Sequence, residues 1–276
     1  MTVSSQHIEQ EAAQSNSRNT YTSILRPELR EVYDKLIAGL VADSLAQNTT
    51  LKGAMDAGSF SRELFIRSTI ESVLRIELMR KVNPLACVRV SNIDPILCKQ
   101  WGIYAADEGL HGRLFAKDLH ELGVTDEEIY STPILFATEL LAGYLYHTLT
   151  EEGPLGVITS AYYVESVAGM TQPTWLEGME KIVGRNATRG AHSHLNIDEK
   201  DGHVDLAWNM CMRLVKTPED DARFKQHIIK NHSLFVAYAI EVATLVANRG
   251  REMAIVDVAP SVIGTSVAAQ AQDKPF

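Results

Sequence analysis

Between residues 97 and 115, large side chains recur in a pattern that only a helix places on one face. Leu97, Trp101, Tyr104, Glu108, His111 and Phe115 follow one another at spacings of four, three, four, three and four, the repeat of a helical stripe. Four of the six are apolar or aromatic, so the stripe faces a core. Glu108 and His111 sit in the middle of it. Burying an unpaired carboxylate costs on the order of several kcal/mol even after relaxation. Such a group needs a cation, a set of donors or a proton. Glu-x-x-His puts a carboxylate and an imidazole on one side of a helix, a pair that helix bundles use to bind iron or manganese. A structural Glu–His hydrogen bond competes with that explanation, as does a rotated face that leaves both groups in water.

The helical pattern continues along most of the chain. The periodicity and punctuation predict a first helix over 29–46 with Pro27 near its start, and a second over 59–82, stopped by Asn83-Pro84. Asp94-Pro95, a capping residue followed by proline, opens a third that runs to 122 before Gly123. Thr132-Pro133 opens a fourth, to 150, and Gly153-Pro154 a fifth, to 170. A short helix covers 173–183, a sixth runs over 186–214 with an interruption, and Pro218 opens a seventh, to 248. The run 88–90 is too short to argue a sheet. The expectation is an all-α, seven-helix bundle with its site in the core. Residues 1–20 and most of 251–276 lack the pattern and read as disordered tails around a helical domain at 21–250.

Composition narrows the partners. The net charge is −9, and no run of Lys or Arg makes a basic stripe, which argues against nucleic acid. No stretch reaches the length of uncharged apolar sequence that a membrane span needs. The polar N-terminus has no secretory signal, so a cytoplasmic setting is expected. The three cysteines, Cys87, Cys98 and Cys211, are odd in number and form no Cys-x-x-Cys pair. That argues against a disulfide framework or a thiolate zinc site, and each reads as a small buried hydrophobe.

Two more segments repeat the problem of Glu108. In Ser-Ala-Tyr-Tyr-Val-Glu-Ser-Val-Ala-Gly, Glu165 stands among apolar residues with only Ser166 beside it. Pairing with a distant arginine such as Arg189 is the alternative to a metal here. Further on, His194 and Asp198 are four residues apart and share a helical face. His203 follows nine residues after His194, and Asp201 seven. A solvated turn at Asp201-Gly202 is the competing reading. Together, three helices offer carboxylate or imidazole from predicted core faces. Glu108, Glu165 and Asp198 bring three negative charges, close to balancing two Fe(II) ions. Oxygen and imidazole ligands without thiolate suit iron or manganese better than structural zinc.

The Tyr-Tyr-Val-Glu-Ser-Val-Ala-Gly helix, the Glu-x-x-His before it and the His-x-x-x-Asp with a later His after it resemble the haem-oxygenase-like di-iron oxidases and oxygenases. The resemblance spans about residues 25–250 and implies a seven-helix bundle holding two Fe2+ ions that activate O2. By that likeness Glu108 and Glu165 are the catalytic carboxylates and bridge or cap the irons. His111 and His194 complete one site, and Asp198 with His203 the other. Members of the group decarboxylate medium-chain fatty acids, N-oxygenate amines, or desaturate and fragment amino acids. The implied substrate is therefore a small organic molecule, oxidised by hydrogen abstraction or oxygen transfer, with an external electron donor and a homodimer left open. Tyr104, Tyr162 and Arg189 are the candidates to contact it, with Tyr163 and Trp101 beside them and Arg113 a second carboxylate partner.

One departure matters. The family places its last His about seven residues after the first. A gap of nine on a regular helix is about half a turn out of phase. Either the helix breaks near Gly202, or Asp201 is the ligand. Three other classes stay in view. A ferritin-like di-iron N-oxygenase would use Asp107-Glu108-Gly109-Leu110-His111 with Glu71 or Glu77 upstream, although those two read as solvated helix charges among Arg67, Arg75 and Arg80. A metal-free enzyme of the same fold would be a cofactorless oxidase or a thiamin-salvage hydrolase, the latter needing a cysteine nucleophile. A helical binding protein would hold buried polar networks without chemistry.

Overall fold

The computed structural model describes residues 26–258. Ten α-helices and two 3-10 turns form it, and no strand occurs among the described residues. In chain order the helices are α1 (Pro27–Gln47), α2 (Thr49–Met55), α3 (Arg62–Ser91), α4 (Pro95–Glu121), α5 (Asp126–Ser131), α6 (Phe136–Glu151), α7 (Leu155–Val183), α8 (Arg189–Asp201), α9 (His203–Leu214) and α10 (Pro218–Val258). With α8 and α9 taken as one interrupted helix, seven long helices remain, and α2 and α5 are short additions. The expected tails at 1–20 and beyond 258 lie outside the described residues, while α10 runs on through Val258.

Local signals start several helices. The Asp94 side chain accepts from the backbone N–H groups of Ile96 and Leu97 at 2.8 and 3.1 Å, capping α4 ahead of Pro95. Ser61 does the same for α3 through Leu64. Thr125 and Glu128 form a complete capping box on α5, a helix the periodicity reading missed.

Other starts and stops are set by the fold. The expected stop at Pro84 does not occur: α3 continues to Ser91 with Pro84 inside it. Continuing buries Ala86 and Val90 completely, and the Trp101 indole donates to the Asn83 carbonyl at 2.9 Å. These gains offset the roughly 3 kcal/mol that an interior proline costs. Likewise α7 passes through Pro173, because Leu176 and Met179 beyond it are buried against Phe65 and Val242. The start expected at Thr132-Pro133 falls instead at Phe136. There the Glu241 carboxylate of α10 accepts from the N–H groups of Phe136 and Ala137 at 3.1 and 2.9 Å. The acceptor lies over a hundred residues away in sequence, so no local signal could place that boundary.

Helix α7 is the central element, packing on α1, α3, α6, α8, α9 and α10. Its first half is buried almost continuously from Leu155 to Ser166, as expected of a helix with neighbours all round. Helices α3 and α4 form a long antiparallel pair beside it. One apolar cluster gathers around Trp101, Tyr163, Trp208 and Phe224, and a second around Phe65, Leu176 and Met179. The stripe on α4 runs from the first, at Trp101 and Tyr104, to the second, at Phe115. Glu108 and His111 lie between them.

Candidate metal centre

Four helices bring six ligand-type side chains together. Helix α4 supplies Glu108 and His111, α7 Glu165, α8 His194 and Asp198, and α9 His203. His111 Nδ1 lies 3.2 Å from Glu108 Oε1, and His203 Nδ1 lies 3.3 Å from the same oxygen. Asp198 reaches His194 Nδ1 with one oxygen at 2.8 Å and His203 Nδ1 with the other at 3.0 Å. The rings of His111 and His194 are 4.3 Å apart. All but Glu108 are buried, and its side chain is only 19% exposed.

These separations would suit hydrogen bonds, but the atoms are not aligned as donor and acceptor. Glu108 Oε1, both Asp198 oxygens and the Nδ1 atoms of His111, His194 and His203 are buried without a hydrogen-bond partner. Orphaned polar atoms of this kind are rare and costly. Here they converge. Ligand atoms of Glu108, His111 and His194 lie within 4.8 Å of one another, and so do those of Glu108, Glu165 and His203. Ligands about 2.0–2.2 Å from one ion can close such a spread. The residues therefore could hold a metal ion, and the two sets share Glu108.

The electrostatics set buried carboxylates against neighbouring imidazoles. Burial raises the Glu108 carboxyl, but His111, His203 and His194 outweigh it and hold it below the usual range. Asp198 is also buried, yet its two imidazole neighbours hold it well below that range. Glu165 has less compensation: burial, Glu108 and Asp198 push it up to about 8. Burial lowers His203, but Asp198 and Glu108 raise it further, to about 10. The Tyr104 hydroxyl donates to Glu165 Oε1 at 2.9 Å and fixes that carboxylate's orientation.

Two features aim the α8 and α9 ligands. Asp118, buried on α4, accepts from the N–H groups of Gly190 and Ala191 at 2.6 and 2.8 Å and caps the first turn of α8. A side chain at Gly190 would meet the Leu114 backbone oxygen at 2.1 Å, so glycine is required for α8 to approach α4. At the other end, Gly202 adopts the left-handed conformation (φ 66°, ψ 43°) and separates α8 from α9, a conformation that favours glycine. The break turns His203 into the cluster and leaves Asp201 exposed to solvent.

Solved structures share the fold that carries this cluster. A domain of unknown function with a heme oxygenase-like fold from Shewanella denitrificans OS217 matches with a TM-score of 0.69 at 20% identity, covering 84% of this chain and 96% of that one. The chain has a haem-oxygenase-like fold. A TenA homologue from Pseudomonas syringae pv. tomato DC3000 shares this haem-oxygenase-like architecture with a TM-score of 0.58 at 11% identity, over 76% of this chain and 92% of that one. A TenA homologue from Pyrococcus furiosus does so with a TM-score of 0.55 at 12% identity, over 81% and 99%. No protein-family model and no curated protein sequence matches the chain.

Within this haem-oxygenase-like frame, a cavity of about 380 Å³ adjoins the cluster, bordered by Tyr104, Glu108, Glu165 and His194. Several expected residues are elsewhere. Tyr162 points away, donating to Asp34 and packing on Trp208 and Phe224. Tyr163, one position on, borders the cavity instead. Arg189 and Arg113 are exposed, and Arg189 bonds Asn186. The arginines that border the cavity are Arg75 and Arg80. Glu71 is not solvated: it is fully buried, holding Arg67 at 2.7 Å with one oxygen and the Leu135 N–H at 3.1 Å with the other. Glu77 faces Arg80. Neither supplies the upstream ligand of the ferritin-like pattern. Of the cysteines only Cys211 is buried. Cys87 and Cys98 are half-buried with their sulfurs 3.8 Å apart, and none of the three borders the cavity.

Asp118 was legible and overlooked. It continues the stripe of α4 three residues after Phe115, a third charged group on the core face.

Proposed function

We propose that the chain is an O2-dependent non-haem di-iron oxidase or oxygenase acting on a small organic substrate. The observation that carries this reading is the pair of ligand sets sharing Glu108, in a cluster where Glu108, His111, His194, Asp198 and His203 each have a buried polar atom without a hydrogen-bond partner. Glu108, His111 and His194 would hold one ion, and Glu165 and His203 with Glu108 the other, Asp198 reaching both. When bound, two ferrous ions supply the reduction of O2. The chain's own residues position and exclude. Tyr104 holds Glu165 in place, Asp118 fixes the helix that carries His194 and Asp198, and the largely apolar cavity wall keeps bulk water from the reacting end of the substrate. The absence of a cysteine from the cavity weighs against a metal-free cysteine-dependent reaction.

The test is metal analysis of protein purified without oxygen and loaded with Fe(II). Two irons per chain are expected, with O2 consumption once substrate is present. Glu108→Ala removes the shared ligand and abolishes iron binding. His203→Ala lowers the stoichiometry towards one, and Asp201→Ala leaves it at two. Protein that binds no iron under these conditions would leave the metal-free enzyme or a helical binding protein as the answer.

A further inference from the structure

The cavity beside the cluster holds a cation that nothing in the di-iron reading uses. Arg75 on α3 borders it, along with side chains that are mostly apolar, among them Phe65, Met79, Trp101, Val164, Trp175 and Leu176. Its guanidinium lies 5.3 Å from the Phe235 ring and 5.4 Å from the Tyr238 ring of α10. Two aromatic neighbours at that range hold a guanidinium by cation–π attraction without neutralising it.

Arg75 makes no ion pair with any described carboxylate, and the obvious partners are engaged. Glu71, one turn earlier on the same helix, uses its two oxygens on Arg67 and the Leu135 N–H. Glu241 on α10 uses both on the α6 N-terminus. The cavity's other arginine, Arg80, is exposed, paired with Glu77 and bonded to the Gly109 carbonyl. Arg75 also stands level with the metal ligands. Its neighbour Ile76 packs on Gly112, next to His111, and Arg80 on Gly109, next to Glu108. A molecule held at Arg75 therefore lies beside the cluster.

We infer that Arg75 selects the substrate of this site, a monocarboxylate with an apolar body whose carboxylate pairs with the guanidinium. The inference rests on the proposed activity only in taking this cavity as the substrate's place. One guanidinium in an apolar wall neutralises one negative charge. A phosphate dianion would leave a buried excess, an amine would repel, and an alcohol would leave the cation unpaired. A carboxylate matches the planar donor fork in two parallel hydrogen bonds. The volume suits a small ligand, at the lower end of the roughly 300–1,000 Å³ of small-molecule sites.

Calorimetric titration of the full chain, once metal-free and once loaded anaerobically with Fe(II), tests this. The probes are octanoate, 4-phenylbutanoate, octan-1-ol and octylamine, all below their aggregation concentrations. The carboxylates bind the metal-free protein at least about tenfold tighter than octan-1-ol, as a charge-assisted pair provides, and octylamine gains nothing from Arg75, so its affinity does not fall in Arg75→Gln. In Arg75→Gln the octanoate affinity falls to that of octan-1-ol, while the octan-1-ol affinity stays as it was. Equal affinity of wild-type protein for acid and alcohol overturns the inference without any variant. So does an acid preference that survives Arg75→Gln in protein whose circular dichroism is native. The metal-free arm separates the two readings. Acid selectivity in a chain that takes up no iron sinks the di-iron activity alone, and two irons without acid selectivity sink the role of Arg75 alone.

Discussion

Glu71 on α3 and the pair Glu108 on α4 and Asp198 on α8 are carboxylates withdrawn from solvent, and they have opposite environments. Glu71 is the more deeply buried, with no exposed surface at all. Both its oxygens are matched, by the Arg67 guanidinium and the Leu135 N–H, so it ties α3 to the start of α6. Glu108 and Asp198 are less buried, yet three of their oxygens have no hydrogen-bond partner, and three imidazole nitrogens around them share that state. Burial of a carboxylate on a helix is thus no sign of a metal. The sign is a set of converging acceptors that the protein leaves unmatched.

The sharpest way to break this contrast is at Glu71. Glu71→Ala strands a buried Arg67 and should cost about 3–5 kcal/mol in urea unfolding, while the iron content of the remaining folded protein is unchanged. A variant that keeps its stability but loses iron would place Glu71 with the other group.

A third buried polar site, matched but uncharged, sharpens the contrast through pH. Burial depresses His227 to about 4 against Glu152, which raises it, and Lys230 and Arg223, which lower it further. Its Nδ1 lies 2.6 Å from the Tyr144 hydroxyl on α6, and Glu152 is 3.6 Å from its other nitrogen. The unfolded chain binds this proton below about pH 6.5, whereas the folded one resists until about 4. The stability contributed by neutral His227 is thus full above about 6.5 and is lost as pH falls towards 4, by about 3 kcal/mol in total. Thermal unfolding across that window should be flatter in His227→Gln. An equal slope in both proteins would assign the pH dependence elsewhere.

The smallest effect has the opposite sign. Metal-free Glu165→Gln replaces a carboxylate whose charge the fold disfavours with a neutral acceptor for Tyr104, and should gain roughly 0.5–2 kcal/mol, the usual range when a functional site is relaxed. Fe(II) should then raise the melting temperature of wild-type protein and raise that of the variant less. A loss of stability in the metal-free variant would mean Glu165 is matched as Glu71 is.

Much of this was readable from residue spacing. The α4 stripe, the Asp94-Pro95 start and the conflict created by Glu108 and His111 all follow from periodicity and cost. The nine-residue gap after His194 required either a broken helix or Asp201, and the structure breaks the helix at Gly202. What spacing could not supply was the compensation provided by distant chain. Pro84 and Pro173 stay helical because of what packs beyond them. Glu71 looked solvated because its partners, Arg67 and the Leu135 backbone, form a site only after folding. Tyr162 and Tyr163 are adjacent in sequence and about 100° apart on a helix, and composition does not say which of them meets the cavity. Arg75 was one of several arginines in a charged-looking stretch.

The left-handed residue at 202 has a consequence for the length of the chain around it. Breaks between helices are usually where sequences lengthen and shorten freely, because a loop absorbs the change. This one cannot. It acts as a phase corrector, cancelling the half turn that would otherwise carry His203 to the far side of its helix. Adding or removing one residue between Asp198 and His203 rotates everything after it by about 100°, so the segment that looks most like a hinge is the one whose residue count is locked.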